Sequence, residues 1–169
     1  MLRCFDIILS IFGLVFGAPI ILIALILSYI DTGSPMFLQR RLGQDEKPFV
    51  LIKFRTMRGN SAFTVSHLAD KSFVTEVGRF LRKTKIDELP QFFNILKGEM
   101  TLVGPRPGLP DHFELIRERR KLGVYSSKPG LTGLSQLRKI DMSEPRLLAK
   151  TDAEMISSFS IVGYFKYLI

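Results

Sequence analysis

The chain has 169 residues, enough for one modest core, and carries a formal net charge of +8. That excess points to anionic partners, but there is no Trp and no zinc-finger spacing, and the cations accompany a long apolar stretch. This combination favours a membrane and excludes nucleic acid as the leading partner. The single cysteine, Cys4, rules out a disulfide framework and reads as a passive thiol.

From Ile7 to Ile30 no residue is charged, a run long enough to cross a bilayer as a helix. It is long for the apolar region of a signal peptide and has no small-residue cleavage site after it. Pro19 lies at its middle, where it removes one helical hydrogen bond, and Gly13 and Gly17 lower the cost of a bend. Arg3 lies on one flank and Arg40 and Arg41 on the other, so positive charge selects no side. A kinked, re-entrant hairpin that enters and leaves by one face meets both conditions. A kinked transmembrane helix is the alternative.

Asp31, Gly33, Ser34 and Pro35 close this segment. Met36–Arg41 and Phe49–Phe54 flank a Gly-containing loop and read as a β-hairpin. Arg58 to Ser72 reads as a mixed loop. Thr75 to Thr84 reads as a short helix with Val77, Phe80 and Leu81 inward. Leu89, Phe92, Phe93 and Leu96 predict one apolar stripe on a helix that carries Pro90 in its first turn and stops at Gly98. Thr101–Val103 suits a short strand, and Asp111 to Lys121 a charged surface helix. Thr151-Asp-Ala-Glu154 has capping-box spacing and predicts the start of a final helix, whose aromatic residues can pack internally or rest on a membrane.

Asp87-Glu88 opens the apolar-striped helix. Capping is the ordinary role for such a pair. Here Arg79, Arg82, Lys83 and Lys85 precede it and Arg106 follows in Gly104-Pro-Arg-Pro107. Carboxylates ringed by cations suit a phosphate together with a divalent metal, because the metal offsets the repulsion between carboxylate and phosphate. One carboxylate can then attack phosphorus. His67 and His112 are the only histidines, and no P-loop or GxGxxG occurs, which leaves other schemes poorly supplied. Lys53-Phe-Arg-Thr-Met57 alternates so that Lys53 and Arg55 can line a groove, although such a pattern taken alone is more often a solvated strand face.

Arg3 and Asp6 before the Pro-broken helix, Lys53-Phe-Arg-Thr-Met57, Asp87-Glu-Leu-Pro-Gln91, Gly98, Leu102-Val-Gly-Pro-Arg-Pro107 and Lys128-Pro-Gly-Leu-Thr-Gly-Leu-Ser-Gln136 follow one another in order. Together they resemble the bacterial sugar transferase family, the monotopic polyprenol-phosphate phosphoglycosyl transferases, in its small form without preceding membrane helices. The resemblance implies an α+β protein: a re-entrant membrane helix over 1–33, then a catalytic domain over 34–169. That domain would be small and mostly helical, with a short β-hairpin and interfacial helices, on the cytoplasmic face of the bacterial inner membrane. It implies Mg²⁺ dependence and ping-pong transfer of a sugar-1-phosphate from a UDP-sugar to polyprenyl phosphate, giving polyprenyl-diphospho-sugar and UMP, the first membrane step of glycoconjugate assembly. Asp87 would be the nucleophile and Glu88 a metal ligand or proton carrier, with Lys53, Arg55, Arg82 and Arg106 on phosphates. Ala18 stands before Pro19 where the family often has Ser, and Leu134 replaces a frequent aromatic. Membrane lipid is a further expected partner, and homo-oligomerisation stays open. The rival from another class is a non-catalytic, membrane-tethered basic module for anionic lipid or an acidic partner, which leaves the acidic pair unexplained.

Overall fold

A computed structural model of the protein describes residues 2–58 and 73–168; the loop expected over Arg58 to Ser72 lies, from 59 onward, outside the described residues. Helix α1 (Leu2–Thr32) is one element with Pro19 inside it. It ends where Gly33 takes φ +72° and donates to the Tyr29 carbonyl at 2.8 Å, a left-handed stop that glycine reaches at no steric cost.

The packed stripe of α1 is its polar and small one. Asp6, Ser10, Ala24 and Ser28 are the buried residues. A Cβ added at Gly13 would meet the Phe92 ring at 2.6 Å, so glycine is what allows that approach. Ile8, Phe12, Phe16, Ile23, Ile26 and Ile30 point outward, exposed. A helix of a water-soluble domain buries its apolar face, and this one does the reverse.

Strands β1 (Met36–Leu42) and β2 (Pro48–Phe54) form the expected antiparallel hairpin, with Phe37 opposite Lys53 and Arg41 opposite Phe49. Directly opposed residues share a face, which puts Phe37, Gln39, Arg41, Phe49, Leu51 and Lys53 on one side. Phe49 and Leu51 enter the main core with Ile95, Met100, Leu102, Met155 and Tyr164.

Helix α2 (Glu76–Lys83) is capped by Thr75, whose hydroxyl accepts from the Gly78 N–H at 2.8 Å. Leu81 is buried as expected, but Phe80 is exposed. The face that docks is centred on Gly78, where an added Cβ would meet the Thr56 backbone at 2.1 Å, and Phe80 lies off that face. Helix α3 (Gln91–Lys97) ends at Gly98 as expected, but its stripe is turned. Gln91, Asn94 and Ile95 are buried and Phe93 is exposed. Asn94 explains the turn, because it donates to the Val50 carbonyl at 2.7 Å and accepts from the Ile52 N–H at 3.1 Å. That fastens α3 to the edge of β2 and leaves Leu89 and Phe92 toward α1.

Strand β3 (Thr101–Val103) pairs in parallel with β4 (Gly130–Thr132). Beyond it Gly104 and Gly130 touch so closely that a Cβ on Gly130 would lie 2.0 Å from the Gly104 nitrogen. Helix α4 (Phe113–Lys121) forms where expected, yet its Arg119 is buried at 2% exposure. After α5 (Leu134–Leu137), helix α6 (Pro145–Ser157) starts with Pro at its first turn. Thr151 therefore lies inside α6 and opens no helix, and Asp152 is occupied by Arg119 and Ser135. Helix α7 (Ile161–Leu168) follows. Its Tyr164 is buried in the core, while Phe165 stands edge-on to Phe5 of α1 at 5.4 Å between ring centres.

Candidate active site

Asp87 and Glu88 sit on a single 3-10 turn, Ile86–Glu88, preceded by Lys85 in the left-handed conformation (φ +60°). They stop short of α3, whose N-cap is Pro90 with no side-chain bond. The pair therefore caps nothing there, and capping does not account for it. Asp87 is 7% exposed, and its Oδ1 is buried with no hydrogen-bond partner. A buried, unpartnered carboxylate oxygen costs free energy, and a ligand that gave it a partner would offset that cost.

The carboxylates line a cleft of about 410 Å³ together with Arg41, Lys53, Arg82, Lys85, Arg106 and Lys139. Each cation arrives on a different element. Arg41 and Lys53 come from the shared face of the β1–β2 hairpin. Arg82 comes from the last turn of α2, with its Nε bonded to Thr56 Oγ1 at 2.8 Å. Arg106 comes from the Pro-flanked loop after β3, which the Gly104–Gly130 contact presses against β4. The expected Asp87, Glu88, Lys53, Arg82 and Arg106 are thus brought together. Arg55 is not among the residues lining the cleft: its Nη2 donates to the Met36 carbonyl at 3.4 Å, and its guanidinium lies 5.9 Å from the Phe37 ring centre. Ala18 and Pro19 are exposed on α1 and are not among the residues lining the cleft.

The electrostatics are those of an anion site. Burial, then the nearby Arg41, Arg106 and Arg82, pushes the Lys53 ammonium down to about 8. Burial, then Arg106, pushes the Arg41 guanidinium down to about 10. Asp87 is pushed up to about 6 by burial and then by Glu88, against the pull of Lys53, Arg82 and Lys85. Cations crowded until they weaken one another are relieved by an incoming phosphate.

Sequence reasoning missed Arg41, Gln136, Lys139 and Asp141 as cleft residues. Arg41 was detectable, because strand alternation across the hairpin puts it on the face of Lys53. Gln136 closes the motif that begins at Lys128. Lys139 sits in a left-handed turn (φ +58°) that no local signal marks. Among the described residues no group of three or more His, Cys, Asp or Glu side chains could hold a metal.

The chain belongs to the bacterial sugar transferase family, whose family model matches residues 1–169. It is 42% identical over 136 residues to the uncharacterized sugar transferase EpsL of Bacillus subtilis, a match covering 80% of this chain and 67% of EpsL. It is 41% identical over 140 residues to the UDP-glucose:undecaprenyl-phosphate glucose-1-phosphate transferase of Klebsiella pneumoniae. It is 39% identical over 153 residues to the undecaprenyl-phosphate galactose phosphotransferase of Salmonella typhimurium. Each of these two matches covers 80% of this chain, but only 30% and 32% of the respective relative.

Proposed function

We propose that the chain moves a sugar-1-phosphate from a UDP-sugar to polyprenyl phosphate at the cytoplasmic face of the inner membrane, in two steps through Asp87. The observation that carries this is the buried Asp87 Oδ1 without a partner, in a cleft lined by six basic side chains. A module that only bound anionic lipid would gain nothing from a buried carboxylate oxygen without a hydrogen-bond partner in its basic cleft.

In the first step the Asp87 carboxylate attacks the β-phosphorus. An aspartyl P–O bond forms, the P–O bond to the bridging oxygen breaks, and UMP departs with the electron pair. In the second step a phosphate oxygen of the lipid attacks that phosphorus and the carboxylate is released. Counting UMP and the lipid phosphate as dianions, charge balances in both steps and no proton need move. Lys53, Arg82 and Arg106 hold phosphoryl oxygens and oppose the charge that builds on them. Asp87 and Glu88 fit Mg²⁺, because one offers an unpartnered oxygen and the ion accepts phosphate oxygens and water as its remaining ligands. When bound, it offsets the repulsion between the carboxylates and the diphosphate.

The same-face reading of α1 is supported by what its two ends touch. Near the N-terminus Asp6 accepts from the Thr101 hydroxyl at 2.8 Å, the Leu102 N–H at 2.9 Å and the Tyr164 hydroxyl at 2.8 Å. Arg3 donates to the Ile95 and Leu96 carbonyls at the end of α3. Near the C-terminus Ala24 packs with Phe54 and Leu81. One domain with charged surfaces cannot hold both ends of a helix that crosses the bilayer without being drawn into hydrocarbon.

The test is to mix enzyme, UDP-sugar and Mg²⁺ without lipid. About one UMP per active site should appear, with a sugar-phosphate mass on the peptide containing Asp87. Chelator should stop the burst and Mg²⁺ restore it. No burst and no adduct across a panel of UDP-sugars, with transfer to lipid intact, would exclude the covalent step.

A further inference from the structure

Beside the polar cleft lies a second cavity of about 480 Å³ of opposite character, walled by Ile86, Leu89, Phe92, Leu102, Leu131 and Leu137. The two cavities share four lining residues: Lys85, Glu88, Arg106 and Gln136. The groove is thus continuous with the site around Asp87 and meets it at a junction of two cations, an amide and the Glu88 carboxylate. Leu89 and Phe92 of its wall are also the side chains that approach Gly17 and Gly13 of α1. The groove therefore runs between the outward-apolar helix and the catalytic cleft.

We infer that this groove seats the first isoprene units of the acceptor lipid, delivering its phosphate to the Lys85–Arg106–Gln136 junction once UMP has left the polar side of the cleft. The inference rests on the reading of polyprenyl phosphate as second substrate. Three features select this occupant. The walls are apolar enough for a hydrocarbon chain, which a nucleotide would not reward. The junction carries cations that match a phosphate head. The groove approaches the helix whose outward face carries a run of exposed apolar side chains, which is the side from which a lipid arrives. Both displacements are in line with Asp87, so the lipid phosphate attacks phosphorus from the side that UMP has left, and a junction bordering both cavities gives it that access.

Leu137 tests this directly, because it lines the groove but not the polar cleft and is 51% exposed, so the fold tolerates a charge there. In the full-length enzyme, Leu137→Glu should raise the KM for long-chain polyprenyl phosphate at least tenfold. The UMP burst and the KM for UDP-sugar should stay within twofold. The preference for a long acceptor over dimethylallyl phosphate should shrink. An unchanged KM for the lipid, or an equal rise in both KM values, overturns the assignment. As a measurement free of substitutions, a benzophenone-bearing isoprenyl phosphate should crosslink to wild-type peptides containing Leu89, Leu131 or Leu137, and unlabelled polyprenyl phosphate should compete. Crosslinks elsewhere, or equal competition by phospholipid vesicles lacking isoprenoid, overturn it too. Absence of a UMP burst in the wild type would defeat the covalent reading and leave the lipid KM and the crosslinks to judge the groove alone.

Discussion

Arg119 holds Arg106 from behind. Its Nη1 donates to the Arg106 carbonyl at 2.9 Å, while its Nε and Nη2 donate to Asp152 Oδ2 at 3.0 and 2.6 Å. Asp152 also accepts from the Ser135 hydroxyl at 2.9 Å. A buried ion pair thus joins α4, α5 and α6 to the loop that carries a cleft cation.

Breaking such a pair from one side is costly, because the remaining charge stays buried without its partner. Arg119→Ala should destabilise the protein by about 3–5 kcal/mol. Replacing both residues with packed apolar ones, as in Arg119→Met with Asp152→Leu, should recover much of that loss. Thermal melts of the purified proteins in one detergent measure both. A single variant that melts like the wild type would show that the pair is not structural.

Much of this was legible beforehand where the signal was local. The β1–β2 hairpin, the stop at Gly98, and the grouping of Asp87 and Glu88 with Lys53, Arg82 and Arg106 came from short patterns and their resemblance to a family. What escaped is set by tertiary packing. Arg119 reads as one more surface charge on a basic helix until Asp152 is brought to it. The expected stripe of Leu89, Phe92 and Leu96 is half-buried, with Leu89 and Phe92 toward α1, and only Phe93 is exposed. A second face with Asn94 and Ile95 is buried more deeply, because a helix between a core and an apolar outer helix has two faces to bury. Asn94, a polar residue, chose between them. Thr151 and Glu154 have capping-box spacing, but Pro145 starts α6 earlier.

The rate should follow a bell in pH. Asp87 must be ionised to attack and titrates near 6, so kcat/KM should fall as pH drops through about 6. Lys53 must be charged to hold phosphate and titrates near 8, so the rate should fall again as pH rises through about 8. Lys53→Arg keeps the charge with a group that does not titrate in this range. It should move the alkaline limb upward and leave the acid limb in place. A profile flat from pH 5 to 9 would count against both assignments.

Asp87 should cost stability. Its folded value lies near 6 against an ordinary 3.8, so the native state binds the proton more tightly than the unfolded chain does. The stability linked to it is full below about pH 4 and is lost as pH rises through about 6. Asp87→Asn cannot ionise, so in chelator at pH 7.5 it should be more stable than the wild type by on the order of 1–3 kcal/mol. The difference should shrink toward zero near pH 4, while transfer activity is abolished at every pH. Lower stability of the variant at pH 7.5 would mean that Asp87 makes a favourable native contact.

The last expectation concerns how α1 meets the membrane. Its residues at both ends are tied to one domain, through Asp6 and Arg3 at the start and Ala24 at the far end. Pro19 removes the hydrogen bond that would otherwise close on the Val15 carbonyl, so the helix can bend at mid-depth. Both flanks should therefore lie on the cytoplasmic side. Cys4, which is exposed, reports on the first flank. Arg40→Cys in a Cys4→Ser background reports on the second. A membrane-impermeant maleimide should leave both unlabelled in intact cells and label both in inverted vesicles. Pro19→Leu restores the missing bond and favours a straight helix, so it should transfer a fraction of one flank to periplasmic labelling and lower activity by the same fraction. Periplasmic labelling of either flank in the otherwise wild-type chain would instead mean that α1 crosses the bilayer. The tethers at its two ends could then not both be present in the membrane.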